Sequence, residues 1–489
     1  MIAQVLNRAF VLDQLRAVKA DLEAAQREAG APSTSAGRCS GEARRGEGGG
    51  PPLERPERPE GHDLARALEE VTAAEAREEE SSSGQEGYDP PPSDRRGRAP
   101  VPLDDVSFFS RDPVVSLVQS ALDEYLERSF GQELESEAPV DDRRGGGAEV
   151  AVTSRSLPGW QPAPEFDDRR LFGRFQPADL RWVSSAVSMG IRKFRGRHPF
   201  PENPAEPCSV GPRFRLILVG DWGSGLPRAW KVASQIRQVL EEGRAARLDQ
   251  HVLHLGDVYY SGWKREYEKR FLDPWPVRPS EADAIGSWSL NANHDMYSGG
   301  HDYFGYLLAD PRFARQSRSS FFSLVTPDWQ IMGLDTGWRD GGLQDPQATW
   351  VNDAARDPNR KLMLLSHHQL FSVYEHKEGE LDDKLRPALE SGRVRGWFWG
   401  HEHRCMTFAP HAGVAYGRCI GHGGVPVYQC HGPQDAYPTP GTYEYREFLQ
   451  DGLERWALFG FAVLDFDGPM VHVRYIDENG FEHLREDLG

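Results

Sequence analysis

Side chains able to hold a metal or carry a proton stand at the ends of short apolar runs along the second half of this chain. Asp221 follows RLILVG, Asp257 follows HVLHLG, and Asn293 and His294 close SLNANHD. His367 and His368 close KLMLLSHH, and His401 and His403 close VRGWFWGHEH. Strand ends of this kind are where α/β sheets hold ligands. The types are complementary. A carboxylate such as Asp257 can bridge two cations, borderline divalent metals favour imidazole, and a hard trivalent iron favours oxygen anions such as Asp221 and a tyrosinate. Two histidines in H-x-H can address neighbouring ions, and Asn293 adds a neutral oxygen. Asp295 and His368 are read as groups that orient these ligands rather than bind metal.

The first of these stretches, GDWGSG, has rival readings. It is neither the G-x-G-x-x-G of a dinucleotide site nor a P-loop, since no lysine follows. Ser224 is the expected cap of the next helix, with Pro227 in its first turn. Asp221 is thereby left for a metal. The tyrosine pair of GDVYY offers two phenols, Tyr259 and Tyr260, and the residues alone do not choose between them.

The elements that must position these residues lie in a chain of 489 residues with net charge −18. Such length exceeds one compact core, and such acidity disfavours nucleic acid as a partner. Five scattered cysteines without a C-x-x-C point to reduced thiols and a cytoplasmic protein. The N-terminus is interrupted by Arg8, Asp13 and Arg16, unlike a signal peptide, and no apolar run of about 18 residues would span a membrane.

Residues 1–30 carry apolar positions at helical spacing, an amphipathic helix able to recruit a protein partner. Residues 31–100 are rich in Gly, Pro, Ser, Glu and Arg, a low-complexity linker expected to be disordered. Residues 101–212 form a helical extension, with helices expected near Asp112–Glu135 and Pro177–Phe194 and a Gly-rich break near 141–150. From residue 213 to 489, short β runs alternate with helical segments and end in two strands around DGP, the pattern of a large two-sheet α/β domain. Of 16 histidines only His62 and His198 precede residue 250. The chemistry belongs to the second half.

The ordered set GDWG…GDVYY…NHD…SHH…GHEH resembles the calcineurin-like metallophosphoesterase superfamily, and in particular its purple acid phosphatase branch. The superfamily opens with D-x-H, and here that histidine is replaced by Gly223. The branch makes the same omission and uses the tyrosine of G-D-x-x-Y, which falls on Tyr260. The resemblance implies an α/β (α+β) fold, a two-sheet β-sandwich flanked by helices, behind a partly disordered helical N-terminal region. It implies that Asp221, Tyr260 and His403 bind a first ion, Asn293, His367 and His401 a second, and that Asp257 bridges them. The ions would be Fe(III) with Zn, Mn or Fe(II). His294 matches the phosphate-contacting histidine, and His376 has a spacing similar to that of a leaving-group histidine. Ala292 stands where the family has glycine, tolerable if its φ stays negative. His422, in IGHGGVP, is read as a supporting group in a loop beneath the site.

The function implied is a dinuclear-metal hydrolase of small phosphate esters, a phosphomonoesterase in which water activated by both ions attacks phosphorus in line. A phosphodiesterase acting on a nucleotide or lipid headgroup shares the motifs. A regulatory or interaction protein on a phosphatase fold is the reading from another class.

Overall fold

The run RFRLILV buries six consecutive residues, Phe214 to Val219. A strand buried on both faces must lie between two layers, the arrangement of central strands in α/β proteins. Alternation then sorts its side chains. Ile217 and Val219 pack outward with Val232, Ile236 and Leu240 of the helix Pro227–Ala245. Phe214, Leu216 and Leu218 pack inward against Ile331, Met363, Leu365 and Phe398 of a second sheet.

The computed structural model describes residues 8, 11–16, 19–20, 23, 61–80, 85–86, 109–123, 196–374, 380–427, 440–449 and 456–489, except for the side chains of 61–67, 78–80 and 85–86. The first sheet has six strands in the order Glu482–Leu488, Met470–Asp477, Gly460–Asp467, Arg213–Val219, Asp249–His254, Ile285–Ser289. Its last three are parallel and its first three antiparallel. The second has eight strands, with Lys361–Ser366, Val394–Trp399 and Tyr416–Ile420 parallel neighbours at its centre. Helices Gln347–Ala354 and Glu380–Glu390 cover its outer face through Val351, Leu381 and Leu385. This is the expected two-sheet sandwich flanked by helices. The DGP turn is also as read, with Asp467 paired to Met470 across Gly468-Pro469 and Gly468 at φ 59.

Three expectations are corrected. The stretch read as a disordered linker contains the helix Gly61–Glu80. Its ARALEEVTAAEAREEE is built of strong helix formers, and it buries Val71 and Ala74 while Glu75 pairs with Lys19 and Arg16. Second, Ser224 does not cap the helix after Asp221. Leu226 occupies the cap position without a side-chain bond, and the Ser224 hydroxyl donates to the Gly424 carbonyl at 2.6 Å. Third, the extension is not helical throughout. Residues 109–110 pair with 85–86 and residues 113–123 are helical. Phe109 packs on Tyr259, Tyr260 and Val425, while Ser120 and Asp123 reach Glu266 and Arg270. The expected helix Pro177–Phe194 lies outside the described residues, as do the Gly-rich break near 141–150 and the part of Asp112–Glu135 beyond 123.

Candidate metal centre

Both sheets point the carboxyl ends of their parallel strands at one place. The six-stranded sheet delivers Asp221 after Arg213–Val219, Asp257 after Asp249–His254 and Asn293 after Ile285–Ser289. The eight-stranded sheet delivers His367 after Lys361–Ser366, and His401 and His403 after Val394–Trp399. All six are buried. Asp221, Asp257 and His401 hold φ of 53°, 73° and 66°. Left-handed backbone costs a non-glycine residue about 1–3 kcal/mol, and it gathers at functional sites. Ala292 keeps φ −140°, so the methyl group there is accommodated.

One half of the cluster is oxygen-rich. His403 Nε2 lies 3.4 Å from Asp221 Oδ1. The Tyr259 hydroxyl sits 3.0 Å from His403 Nε2, 3.1 Å from Asp257 Oδ2 and 3.3 Å from Asp221 Oδ1. The other half is nitrogen-rich. His367 Nε2 lies 3.0 Å from Asn293 Oδ1, 3.2 Å from His401 Nδ1 and 3.3 Å from Asp257 Oδ2. Asp257 therefore faces both halves through one carboxylate.

The tyrosine expectation is corrected here. Tyr260 does not face the cluster. Its ring lies under the Arg270 guanidinium, 4.5 Å from the ring centroid, and burial pushes its phenol well above the usual range, Arg270 opposing. The two tyrosines lie in a turn after Val258, and the ring that this turn brings to the carboxylates is that of Tyr259. Gly223 explains the fit. A Cβ there would meet the Asp257 carbonyl at 2.9 Å and Val258 Cα at 2.9 Å, so no histidine fits at this position. The Tyr259 amide instead donates to the Gly223 carbonyl at 3.0 Å, which anchors the tyrosine loop.

The supporting groups are well defined. His367 Nδ1 bonds the Leu255 carbonyl at 3.0 Å, which leaves Nε2 for the cluster. Asp295 Oδ2 accepts from the Asp257 amide at 3.0 Å and its Oδ1 accepts from the Tyr267 hydroxyl. Burial, with Asp257 adding to it, pushes Asp295 up to about 7. His368 Nδ1 pairs with the Thr336 hydroxyl at 3.0 Å, in keeping with an orienting role, although its ring is also close to His367 and His401. His294 Nδ1 bonds the Tyr260 carbonyl at 2.6 Å and its amide donates to Asp257 Oδ1 at 3.2 Å.

Two expected residues fall elsewhere. His376 lies outside the described residues. The glycine loop around His422 does lie against Asp221 and Gly220, with the Gly423 amide donating to the Gly220 carbonyl at 3.0 Å, but the buried His422 ring groups with Cys405 and His483. Two contributors carried no signal in the sequence. Arg111 of the N-terminal extension donates from Nη2 to the His401 carbonyl at 3.4 Å, and its own carbonyl accepts from the Tyr297 hydroxyl at 2.6 Å. That hydroxyl in turn accepts from Asn293 Nδ2 at 2.8 Å.

The donor set fits divalent or trivalent ions. Burial opposes ionisation of Asp257, yet the fields of His367, His294 and His403 outweigh it and hold its carboxyl far below the usual range. Burial likewise opposes charge on His367, and Asp257 and Asp221 prevail and push it up to about 9. Carboxylates packed this closely demand positive charge between them.

Residues 214–405 match the family model described as calcineurin-like phosphoesterase, a span that contains every candidate ligand from Asp221 to His403. The chain carries a calcineurin-like phosphoesterase domain. Solved structures similar to it include GAP50, the anchor in the inner membrane complex of Plasmodium, at 12% identity over 57% of this chain and 89% of that one, with a TM-score of 0.43. Vps29 of Chaetomium thermophilum is similar at 13% identity over 56% and 95%, with a TM-score of 0.26. The cold-active protein-tyrosine phosphatase of a Shewanella species is similar at 14% identity over 61% and 90%, with a TM-score of 0.28. Among curated proteins nothing matches. The phosphoesterase family uses a dinuclear metal centre, and the two groups Asp221–Asp257–His403 and His367–His368–His401 are the candidates for it here. Among the described residues no helix is long and apolar enough to cross a membrane.

Proposed function

We propose that the calcineurin-like phosphoesterase domain is a dinuclear-metal phosphomonoesterase of purple acid phosphatase type. The observation that carries this reading is the placement of Tyr259 between Asp221, Asp257 and His403, where Gly223 leaves no room for a histidine. Asp221, Tyr259 and His403 would hold Fe(III), and Asn293, His367 and His401 would hold Zn, Mn or Fe(II), with Asp257 shared. Two such ions, when bound, would neutralise a phosphate group and bring the acidity of a coordinated water close to neutral pH.

The chain's own groups do the rest. Asp295 fixes the Asp257 loop through the Asp257 amide, so the bridging carboxylate keeps its aim. His294 is anchored at Nδ1, which assigns its acid–base chemistry to Nε2, and it would protonate the departing alkoxide. His376 is the second candidate for that proton. Arg111 adds positive charge at the edge of the cluster, suited to a phosphate oxygen. The thiols of Cys208, Cys405 and Cys419 are free, which supports a reducing, cytoplasmic setting.

Turnover of p-nitrophenyl phosphate against bis(p-nitrophenyl) phosphate by metal-loaded protein tests the reading. A preference for the monoester supports it, and a preference for the diester replaces it with a phosphodiesterase. No turnover of either ester at full metal occupancy would favour an interaction protein.

A further inference from the structure

A second group of soft donors lies away from the phosphoesterase centre, in the core between the two sheets. Cys405 begins a strand of the eight-stranded sheet, His422 follows the strand Tyr416–Ile420, and His483 lies in the edge strand Glu482–Leu488 of the six-stranded sheet. One donor atom from each lies within 4.8 Å of the others. Cys405 is 1% exposed and His422 4%, and His483 is half-buried.

The polar atoms here lack partners. Both ring nitrogens of His422 and Nε2 of His483 are buried without a hydrogen bond. A neutral imidazole carries one donor and one acceptor, and each group buried unpaired costs about 1–3 kcal/mol. A glycine at 460 keeps the space beside His422 open, since a Cβ there would lie 2.6 Å from its Nε2. His483 is already oriented like a ligand. Its Nδ1 bonds the Tyr443 hydroxyl at 2.9 Å and its ring stacks on Tyr445 at 3.6 Å, so Nε2 is the nitrogen turned to the cluster. Metal-bound histidines are held in this way through their second nitrogen. Burial drives His422 down to about 3 and His483 to about 4, with Asp477 and Glu482 opposing in the latter, so both rings are neutral lone-pair donors at neutral pH.

We infer that Cys405, His422 and His483 form a separate site for one zinc-like divalent ion that ties the two sheets together. One thiolate and two imidazoles suit such an ion. Bonds of about 2.0–2.3 Å to one such ion call for donors this close together. Burial holds the Cys405 thiol well above its usual range, so binding must exchange that proton for the metal. This site is independent of the phosphoesterase reading, because it shares no residue with the dinuclear centre.

The experiment reconstitutes the full-length chain with cobalt(II) or zinc and compares wild type with Cys405→Ser and His483→Gln. The expected wild type shows a near-ultraviolet thiolate-to-cobalt band and holds one more metal ion per chain than either variant. Cys405→Ser loses the band, His483→Gln weakens or loses it, and both keep p-nitrophenyl phosphate turnover. His483→Gln sits at the solvent side and serves if Cys405→Ser does not fold. Wild type without the band, or equal metal content in wild type and His483→Gln, overturns the inference and leaves His422 as a buried histidine satisfied by water.

Discussion

The two sheets contribute different chemistry to one centre. The six-stranded sheet supplies oxygen, from Asp221, Asp257, Asn293 and the loop that carries Tyr259. The eight-stranded sheet supplies imidazole, from His367, His401 and His403. Neither set would hold two ions alone, and the inter-sheet core of Leu216, Leu218, Met363 and Phe398 fixes their separation. Hardness is then divided within the cluster. Tyr259, Asp221 and His403 make an oxygen-dominated half, and His367, His401 and Asn293 a nitrogen-dominated one. A fold that brings two strand-end rows together can therefore offer two halves of unlike hardness without any dedicated metal-binding loop.

The residue common to both halves should matter most. Asp257→Ala is expected to remove both ions and reduce phosphatase activity to background, read by elemental analysis beside turnover. One ion retained at full occupancy would show that the halves do not share it. His294→Ala should keep both metals and lower kcat by about 10²–10⁴-fold for esters with poor leaving groups, and much less for p-nitrophenyl phosphate. An equal loss on both substrates would assign His294 to phosphate binding instead. Asn293→Ala should loosen only the nitrogen-rich half, so that a chelator titration removes one ion early and leaves the other.

Asp295→Asn sharpens the comparison from behind the oxygen-rich half. It should cost about 10–100-fold in affinity for the metals, because the Asp257 amide loses a charged acceptor. The smallest effect is expected at the N-terminus. Removing residues 1–84 should leave turnover unchanged, whereas removing 1–123 also strips Phe109 from Tyr259 and Arg111 from the His401 carbonyl and should raise KM. An unchanged KM in the shorter protein would make the packed segment dispensable.

How much of this the sequence carried depends on the range of the interaction that decides each feature. The strand ends that gather in the cluster were legible, because an apolar run followed by Asp, Asn or His states both the element and the position of its end. Tyr260 was misplaced because neighbouring tyrosines differ only in which way the backbone turns them, and that is decided by packing on Gly223, Phe109 and Arg270. The helix Gly61–Glu80 was hidden in a window dominated by Gly and Pro, though its own residues favour helix. Cys405, His422 and His483 have no informative spacing, since sheet order alone brings them together. Arg111 reaches His401 across 290 residues by the same kind of tertiary contact.

The central claim, that Tyr259 completes the oxygen-rich half where the superfamily's histidine is missing, has a direct optical test. Ferric protein should be purple to pink from phenolate-to-iron charge transfer. Tyr259→Phe removes one oxygen and should abolish the band while iron stays bound, and Tyr260→Phe should leave it in place. A band that survives in Tyr259→Phe and vanishes in Tyr260→Phe, or colourless wild type with ferric iron bound, would contradict it.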